Sequence, residues 1–243
     1  MRIHILGSGT ILSPAARNQA GYLLEKDGSY LLIDAGPGIM HRLIDMGVDV
    51  DLLDGILLSH FHLDHCSDVF AILMRRHFLS AGSLFLAGPA SLSAWYGHQA
   101  GIQGAWLEKS EPRIMDLTSE TLTWSGYRIT CMHNGHSGDS IAIRFSGDKD
   151  FFYSSDCEYS PELAGFAAGA DCALVECSHP DGARVKGHMT PSDTGRLAAE
   201  ASVKHLVVTH IYPDNDTPYL KPAIQKHFHG NVTVGRDGLV IPL

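Results

Sequence analysis

Short apolar runs recur along the whole sequence, and their number and spacing constrain the fold more than any other feature. The runs are rich in Ile, Leu, Val, Tyr and Phe, and most are bounded by Gly, Asp, Asn or Ser, which is typical of strands joined by turns. The predicted strands are Ile3–Leu6, Tyr22–Leu24, Tyr30–Ile33, Gly55–Leu58, Ser83–Leu86, Tyr127–Met132, Ile141–Phe145, Phe151–Tyr153, Cys172–Glu176, His205–Thr209 and Val232–Val234.

Helical periodicity is present between some of these strands. The predicted helices are Ile39–Met46, Ser67–Leu79, Pro161–Ala168, Ser192–Ala201 and Tyr219–Phe228. The fourth helix has a recognisable start, with Thr190 as the N-cap, Pro191 at the first position and Asp193 three residues after the cap. Strands interspersed with helices predict an α/β protein whose sheets are flanked by helices, and the pattern alone leaves open whether there is one sheet or two.

Length and charge limit the classes of function. The chain has 243 residues and contains no linker, low-complexity segment or short-period repeat, so we expect one domain spanning residues 1–243. The formal net charge is −9, from 18 Lys+Arg against 27 Asp+Glu, and there is no basic run. This balance argues against a protein that binds long RNA or DNA through its phosphates. It is compatible with a short phosphorylated substrate at a metal centre, because bound divalent ions are the largest local charges in such a site.

The cysteines and the first residues predict a compartment. There are five cysteines, an odd number without framework spacing, which suits a reducing environment. The segment Met1–Leu6 alternates like a strand and lacks the features of a secretory signal peptide. No run approaches the roughly 18 consecutive apolar residues of a membrane span. We therefore expect a cytoplasmic protein that does not associate with a membrane.

Ligand-type side chains stand directly after several of the predicted strands. These residues are His60, His133 with His136 close behind it, Asp156 and His210. Strands that each carry a His or Asp at their ends would converge on one sheet edge, where α/β proteins commonly place their sites. A shared site at that edge is therefore predicted.

The stretch Ser59–Asp68, SHFHLDHCSD, concentrates three histidines and two aspartates. Chance enrichment of a polar loop is the simpler interpretation, since the chain has 15 histidines, but the spacing favours a metal site. Residues two apart in an extended turn point the same way, so His60 and His62 can bind one ion. Asp64 and His65, which enter the next helix, can bind a second. Each ion would still lack a histidine, and a bridging carboxylate would serve both.

Later residues can supply these missing ligands. The candidates are one histidine of the 133–136 region, Asp156 as a bridge, and His210. Strand-end reasoning alone favours His133 over His136. Two ions about 3.5–4 Å apart could hold a hydroxide between them and stabilise both the attacking and the leaving oxygen of a hydrolysis. We expect two divalent ions, with zinc as the first choice and Mn or Fe as alternatives, because His/Asp ligand sets accept all three metals.

The pattern His60-x-His62-x-Asp64-His65 resembles the signature of the metallo-β-lactamase superfamily. Further segments resemble its ribonuclease Z-like branch, cover nearly the whole chain and occur in the family's order. They are Ile5–Thr10 with Arg17-Asn18, Ile33–Gly36, His136–Arg144, Tyr153–Asp156, Val175-Glu176, Gly187–Thr190 and Leu206–His210. The resemblance implies a four-layer αββα sandwich, with two mixed sheets packed face to face, helices outside, and a two-metal site at one edge of the sheets.

The resemblance also implies a complete ligand set. The family's His-x-x-x-Ser-Ile spacing favours His136 over His133 as the third histidine of the first ion. The implied ligands are His60, His62 and His136 for the first ion, Asp64, His65 and His210 for the second, and Asp156 as the bridge between them.

His188 is the residue to which the resemblance assigns proton transfer. In the ribonuclease Z-like branch the matching histidine lies beside the metals, is partnered by an acidic residue resembling Glu176, and protonates the leaving oxygen or stabilises the transition state. General acid catalysis of this kind contributes on the order of 10²–10⁴-fold. The structural alternative is a histidine that supports the cap at Thr190. The candidate catalytic residues are thus Asp64, Glu176 and His188.

One departure from ribonuclease Z bears on the substrate. Ribonuclease Z carries a long basic arm that clasps tRNA, located between the matching histidine and the bridging aspartate, whereas here only residues 137–155 separate His136 from Asp156. The family's Asp-x-Gly-Glu-Gly stretch also differs, as Asp34–Gly38 is DAGPG.

We therefore expect a binuclear metal-dependent hydrolase that acts on small or cyclic phosphodiesters. The alternatives are a tRNA 3′ endonuclease, a thioesterase, a β-lactamase or a non-catalytic metal-binding accessory protein. The oligomeric state stays open, and a homodimer would suit this branch.

Overall fold

The apolar runs of the sequence form the strands of two β-sheets. The computed structural model describes residues 1–104, 106–107 and 111–243. The strands of these ranges are, in chain order, β1 (Arg2–Gly7), β2 (Gly21–Lys26), β3 (Ser29–Ile33), β4 (Leu53–Leu57), β5 (Phe85–Gly88), β6 (Arg113–Asp116), β7 (Leu122–Trp124), β8 (Tyr127–His133), β9 (Ile141–Ser146), β10 (Phe151–Tyr153), β11 (Cys172–Glu176), β12 (His205–Thr209), β13 (Asn231–Val234) and β14 (Val240–Pro242).

Each sheet combines antiparallel and parallel pairing. The first sheet has the strand order β14-β1-β2-β3-β4-β5-β6 and is antiparallel as far as β3 and parallel from β3 to β6. The second has the order β13-β12-β11-β10-β9-β8-β7 and is antiparallel from β7 to β10 and parallel from β10 to β13. Because parallel strands end at the same edge, the segments that follow β10, β11 and β12 leave the second sheet side by side.

Helices cover the outer face of each sheet. The helices of the described ranges are α1 (Ile39–Asp45), α2 (Leu63–Cys66), α3 (Val69–Phe78), α4 (Leu92–Gln103), α5 (Pro161–Phe166), α6 (Pro191–Glu200) and α7 (Leu220–Gln225). Buried residues of α1, α3 and α4 pack with the outward side chains of the first sheet. Those of α5, α6 and α7 pack with the second sheet. None of these helices has both the length and the apolar composition needed to cross a membrane.

The central core lies between the two sheets. It unites inward side chains of the first sheet, such as Tyr22 and Leu24, with those of the second, such as Phe145, Phe151 and Tyr153. The alternation along each strand produces this arrangement, because successive side chains point to opposite faces. The expected αββα sandwich with two mixed sheets is thus confirmed.

The sequence pattern predicted most elements but missed the short ones. The missed strands β6 (RIMD), β7 (LTW) and β14 (VIP) have three or four residues each, and none of them shows a run of three strand-forming apolar side chains such as that of the equally short β10 (FFY). Helix α4 was also missed, since Gly97 and Gly101 lie within it and weaken its helical signal. The start of α6 was predicted correctly: Asp193 accepts hydrogen bonds from the Thr190 backbone N–H at 3.1 Å and from its hydroxyl at 2.9 Å. Thr190 is therefore the cap, as expected.

Candidate metal centre

Four ligand-type side chains meet where strands of the two sheets end. His60 follows β4, His62 is the N-cap of α2, His136 lies in the turn after β8, and Asp156 follows β10. Ligand atoms of these four residues all lie within 4.8 Å of one another. The His62 Nδ1 to His136 Nε2 distance is 3.0 Å, and Asp156 Oδ2 is 3.9 Å from His60 Nε2 and 3.8 Å from His136 Nε2.

A second group lies beside the first. It consists of Asp64 and His65 in α2 and His210 after β12, again with ligand atoms within 4.8 Å of one another. Asp64 Oδ2 is 3.4 Å from His210 Nε2 and 4.0 Å from His65 Nε2. All three side chains are buried. The stretch Ser59–Asp68 therefore contributes two residues to each group, as its spacing predicts.

Asp156 stands between the two groups. Its Oδ2 faces the first group, and its Oδ1 lies 3.3 Å from His65 Nε2 and 3.3 Å from His210 Nδ1 in the second. A carboxylate in this position can offer one oxygen to each of two ions, which is the bridging arrangement that the resemblance implies.

Several of these atoms are buried without a hydrogen-bond partner. They are Nε2 of His60, Nε2 of His65 and Oδ1 of Asp156. Buried polar atoms in proteins are almost always satisfied, so three of them facing a common space need an explanation. Divalent cations at the two groups would satisfy all three atoms, and imidazole nitrogen with carboxylate oxygen is a donor set that zinc, manganese and iron accept. The residues present therefore fit bound divalent ions.

The choice between His133 and His136 depends on the turn after β8. His133 is the last residue of β8, and its exposed ring donates from Nε2 to the carbonyl of Gly138 at 2.8 Å. His136 instead donates from Nδ1 to the carbonyl of Gly187 at 2.8 Å, which leaves Nε2 towards His62 and Asp156. The structure thus brings His136 into the first group and leaves His133 outside it.

Glu176 and His188 form a pair beside the ligand groups. Nδ1 of His188 lies 3.1 Å from Glu176 Oε1, and Glu176 is fully buried at the end of β11. Burial lowers the pKa of His188, but the hydrogen bond and charge of Glu176 outweigh it and raise the pKa to about 9. His188 also has a ligand atom within 4.8 Å of Asp156 and His210. The structure therefore places this pair at the edge of the site.

A pocket opens over these residues. Its volume is ≈ 330 Å³, which is within the range of small-molecule sites. It is lined by Ile11, His62, Leu63, Asp64, His136, Asp156, His188 and Tyr212. The sequence analysis identified the histidines and aspartates of this lining, and it missed Ile11, Leu63 and Tyr212 because no sequence pattern distinguishes them from other apolar and aromatic residues of the chain.

Comparison with known proteins identifies the family. The model of the beta-lactamase superfamily domain matches residues 29–211, a span that contains every residue of the two ligand groups. The chain belongs to the beta-lactamase superfamily. It is 27% identical to the probable metallo-hydrolase YhfI of Bacillus subtilis, with 99% of each protein aligned. It is 25% identical to the ribonuclease Z of Streptomyces avermitilis, over 98% of this chain and 96% of the relative.

Solved structures of similar proteins have the same fold. The crystal structure of Bacillus subtilis YhfI matches with a TM-score of 0.88 and 24% identity, covering 99% of this chain and 98% of that one. The short form of human tRNase Z matches with a TM-score of 0.81 and 19% identity, covering 100% and 99%. A diphosphatase from the PhnP family matches with a TM-score of 0.78 and 16% identity, covering 100% and 97%. The expected resemblance to the ribonuclease Z-like branch is confirmed.

In this superfamily member the buried carboxylate of Asp34 accepts hydrogen bonds from His65 and from residues beside the ligand groups. Asp34 Oδ2 accepts from His65 Nδ1 at 2.8 Å, from the Ser59 hydroxyl at 2.8 Å and from the Tyr153 hydroxyl at 2.6 Å. Its Oδ1 accepts from the Ser59 backbone N–H at 2.8 Å. Carboxylates that hold the far nitrogen of a metal-binding histidine fix its tautomer and its orientation. The sequence analysis noted Asp34 only within the segments Ile33–Gly36 and Asp34–Gly38 and gave it no role, and its place directly after a buried strand was the available signal.

Electrostatics in the site favour ionised carboxylates. Burial raises the pKa of Asp64, but the hydrogen bond from His210 and the charges of His65 and His210 outweigh it and lower the pKa to about 2. Burial also raises the pKa of Asp156, but the charges of His210 and His65 outweigh this effect and hold the pKa well below the usual range. Burial and the neighbouring His65 charge lower the pKa of His60 well below its usual value. Ionised carboxylates and a neutral imidazole are the forms that bind metal.

Three residues of the site have left-handed backbone conformations. Asp34, Ser155 and His210 have φ values of 54°, 53° and 51°. Each of them follows a strand, β3, β10 or β12 respectively. A non-glycine residue in this conformation costs on the order of 1 kcal/mol or more and persists where surrounding contacts require it. Such bends turn the side chains that follow these strands towards a common point.

Proposed function

We propose that the protein is a binuclear metal-dependent phosphodiesterase that acts on small or cyclic phosphodiesters. The observation that carries this proposal is the Glu176/His188 pair at the edge of two ligand groups that share Asp156. The first ion would be held by His60, His62 and His136, the second by Asp64, His65 and His210, and Asp156 would contact both. Two such ions, when bound, would lower the pKa of water at the site and would supply Lewis-acid stabilisation to the oxygens of the phosphate group.

His188 has the position of a proton donor. Its Nδ1 is occupied by Glu176, and its ring lines the pocket, so Nε2 is the nitrogen left for a substrate. Glu176 is itself fixed, because its Oε1 accepts from the Cys157 backbone N–H at 2.6 Å. The hydrogen bond and charge of Glu176 raise the pKa of His188 and so favour the protonated ring that can donate to a leaving alkoxide. The oxygen of water bonds to phosphorus as one water proton passes to solvent, the bond from phosphorus to the leaving oxygen breaks, and the leaving oxygen takes up the proton of His188, which His188 then regains from solvent.

The segment between His136 and Asp156 favours a small substrate. Residues 137–155 contain β9, β10 and their short connections, all within the second sheet. This leaves no length there for an arm that clasps tRNA. The net charge of −9 also disfavours a long polyanion. Solved structures that share the fold include a tRNase Z and a diphosphatase, both named for reactions at phosphate groups.

A tRNA 3′ endonuclease is the second candidate, because the ribonuclease Z similarity extends over 98% of the chain. A panel separates the possibilities: bis(p-nitrophenyl) phosphate, 2′,3′-cyclic nucleotides, a tRNA precursor, nitrocefin and S-lactoylglutathione. We expect turnover of the phosphodiesters and none of nitrocefin or the thioester. Cleavage of the tRNA precursor alone would favour the endonuclease. Two tightly bound metal equivalents without any turnover would favour a non-catalytic accessory role.

Three variants test the mechanism with bis(p-nitrophenyl) phosphate and a 2′,3′-cyclic nucleotide. Asp156→Ala should abolish turnover together with metal binding. With a 2′,3′-cyclic nucleotide, whose leaving oxygen is an alkoxide, His188→Ala and Glu176→Gln should lower kcat by on the order of 10²–10⁴-fold and keep the metal content, because they remove proton donation only. The loss should be smaller with bis(p-nitrophenyl) phosphate, because its nitrophenolate leaving group needs little protonation. His229→Ala replaces an exposed histidine and serves as the matched control. Wild-type turnover in both Asp156→Ala and His188→Ala would contradict the proposal.

A further inference from the structure

One wall of the pocket is apolar although it borders a site of charged residues. Ile11 and Leu63 line the pocket with 49% and 68% of their surfaces exposed, and the neighbouring Leu12 is 67% exposed. Single exposed apolar residues are common on proteins, but a group at the mouth of a concave site is a typical feature of ligand binding. We call Ile11, Leu63 and Tyr212 the apolar rim.

Ile11 is held in place by the site itself. Its backbone N–H donates to Asp64 Oδ2 at 3.1 Å, so the side chain stands beside a residue of the second ligand group. The loop that carries Ile11 is held at its far end by buried Arg17. The Arg17 guanidinium forms a bidentate pair with Asp216, with Nε to Oδ2 and Nη2 to Oδ1 distances of 2.8 Å each. Leu63 lies between His62 and Asp64 in the motif and opens α2. The aliphatic part of the rim is therefore fixed relative to the ligand groups.

The ring of Tyr212 is also fixed. It stacks on His179 with a centroid distance of 4.3 Å and an interplanar angle of 27°. Its backbone N–H donates to the carbonyl of Ser178 at 3.2 Å. The same ring meets His188 edge to face at 6.0 Å and 71°. A ring that is supported on one face and lines the pocket with its remaining surface is preorganised to stack on a planar group.

The charges of the pocket favour a ligand with few negative charges. Among the described residues that line it there is no Lys or Arg, and its carboxylates are those of Asp64 and Asp156. Two divalent ions would carry four positive charges, of which the carboxylates of Asp64 and Asp156 and a hydroxide nucleophile would offset three, and protonated His188 is offset by Glu176, so that an excess of one would remain. A phosphodiester carries one negative charge and matches that excess, whereas a polyphosphate would require further cations.

We propose that the apolar rim binds a planar aromatic group of a monoanionic phosphodiester, with the ring held between Tyr212 and the aliphatic side chains of Ile11 and Leu63. This inference rests on the proposed phosphodiesterase function and specifies its substrate class. The aromatic group can belong to a nucleobase or to an aryl alcohol, since both present a flat face of similar size. Stacking on an aromatic side chain strengthens binding by roughly 5-fold to 100-fold.

A binding experiment tests the rim without relying on turnover. Isothermal titration calorimetry of the metal-loaded protein with diphenyl phosphate and dimethyl phosphate compares two monoanions that differ only in their apolar groups. We expect diphenyl phosphate to bind at least about tenfold more tightly. Tyr212→Ala and Leu63→Ala should each reduce that ratio by about threefold or more, and Tyr212→Phe should keep it because the ring remains. Ile102→Ala, which truncates a 79% exposed side chain of α4 outside the pocket lining, is the control.

Kinetics separate failure of the rim from failure of the proposed function. Bis(p-nitrophenyl) phosphate and methyl p-nitrophenyl phosphate share a leaving group and differ in the retained group. Hydrolysis of both esters, with equal affinity for diphenyl and dimethyl phosphate, would contradict aromatic binding at the apolar rim and would support phosphodiesterase activity. Tighter binding of diphenyl phosphate without hydrolysis of either ester would support aromatic binding at the apolar rim and would contradict phosphodiesterase activity. If the ratio of the affinities for diphenyl and dimethyl phosphate keeps its wild-type value in both Tyr212→Ala and Leu63→Ala, aromatic binding at the apolar rim is contradicted.

Discussion

Oδ2 of Asp34 lies 2.8 Å from Nδ1 of His65, and both side chains are fully buried. The contact directs Nε2 of His65 towards Asp156, where a metal ion would bind. Asp34→Asn should therefore lower metal affinity by roughly 10–100-fold while the fold is retained, because carboxylates that orient a metal-binding histidine contribute on that scale. Competition with a metal-sensitive chromophoric chelator measures the affinity. Asp148→Asn, at an 83% exposed carboxylate, is the control, and equal affinity in both variants would contradict this role of Asp34.

The third histidine of the first group can be identified by metal content. His136→Ala should reduce the bound metal by about one equivalent per chain, because it removes a ring that faces His62 and Asp156. His133→Ala should leave metal content unchanged, because that ring is exposed and bonded to Gly138. Elemental analysis after dialysis against metal-free buffer makes the comparison. Loss of metal in the His133 variant alone would reverse the assignment.

Metal removal should destabilise the protein. The site gathers the buried carboxylates of Asp64 and Asp156, and ions that bind the folded chain only would stabilise it by mass action. At a free concentration of about 100 Kd the gain is ~2.7 kcal/mol, which is roughly 5–10 °C in Tm for a chain of this size. Differential scanning fluorimetry with and without EDTA measures the shift. The Asp156→Ala variant should show a much smaller response, and an equal response in both proteins would place the stabilising ion elsewhere.

The brace between Arg17 and Asp216 should give a pH-dependent contribution to stability. The hydrogen bond from Arg17 lowers the pKa of Asp216, so its contribution is complete above the usual Asp pKa of about 3.9 and is lost as the pH falls through the lowered value. Asp216→Asn should cost about 1–2 kcal/mol at pH 7, after allowance for the partly exposed Asp216 carboxylate. Thermal unfolding of both proteins between pH 3 and 7 measures the difference. The gap in Tm should narrow below about pH 4, and a gap that widens towards acid would refute the assignment.

The agreement between sequence and structure is greatest where residues act through local spacing. His60, His62, Asp64 and His65 lie in one turn and the start of α2, so their division between two groups follows from the geometry of a few residues. The cap of α6 was predictable for the same reason. Short strands such as β6 and β7 were not, because pairing with neighbouring strands, rather than their own pattern, makes them strands.

Contacts between distant segments decided the rest of the site. Strand-end reasoning favoured His133, but the turn after β8 is held by Asn134, which donates to the Ser154 carbonyl at 2.9 Å and accepts from the Ser140 hydroxyl at 2.6 Å. That turn carries His136 to the ligand group. Nothing near His133 or His136 in the sequence indicates such a bond, since its partner Ser154 lies 20 residues away from Asn134.

The sequence by itself determined most strands and helices and the local group of ligand-type residues, because strand alternation, helix periodicity and motif spacing are properties of neighbouring residues. The arrangement of the strands in two packed sheets was implied by the family resemblance and did not follow from these patterns. The tertiary structure alone decided how the site is built and what surrounds it. Asp34 meets Tyr153 across 119 positions, and the apolar rim unites Ile11, Leu63 and Tyr212 from three separate segments. The physical reason is that packing of the two sheets brings together loops whose side chains have no relationship along the chain.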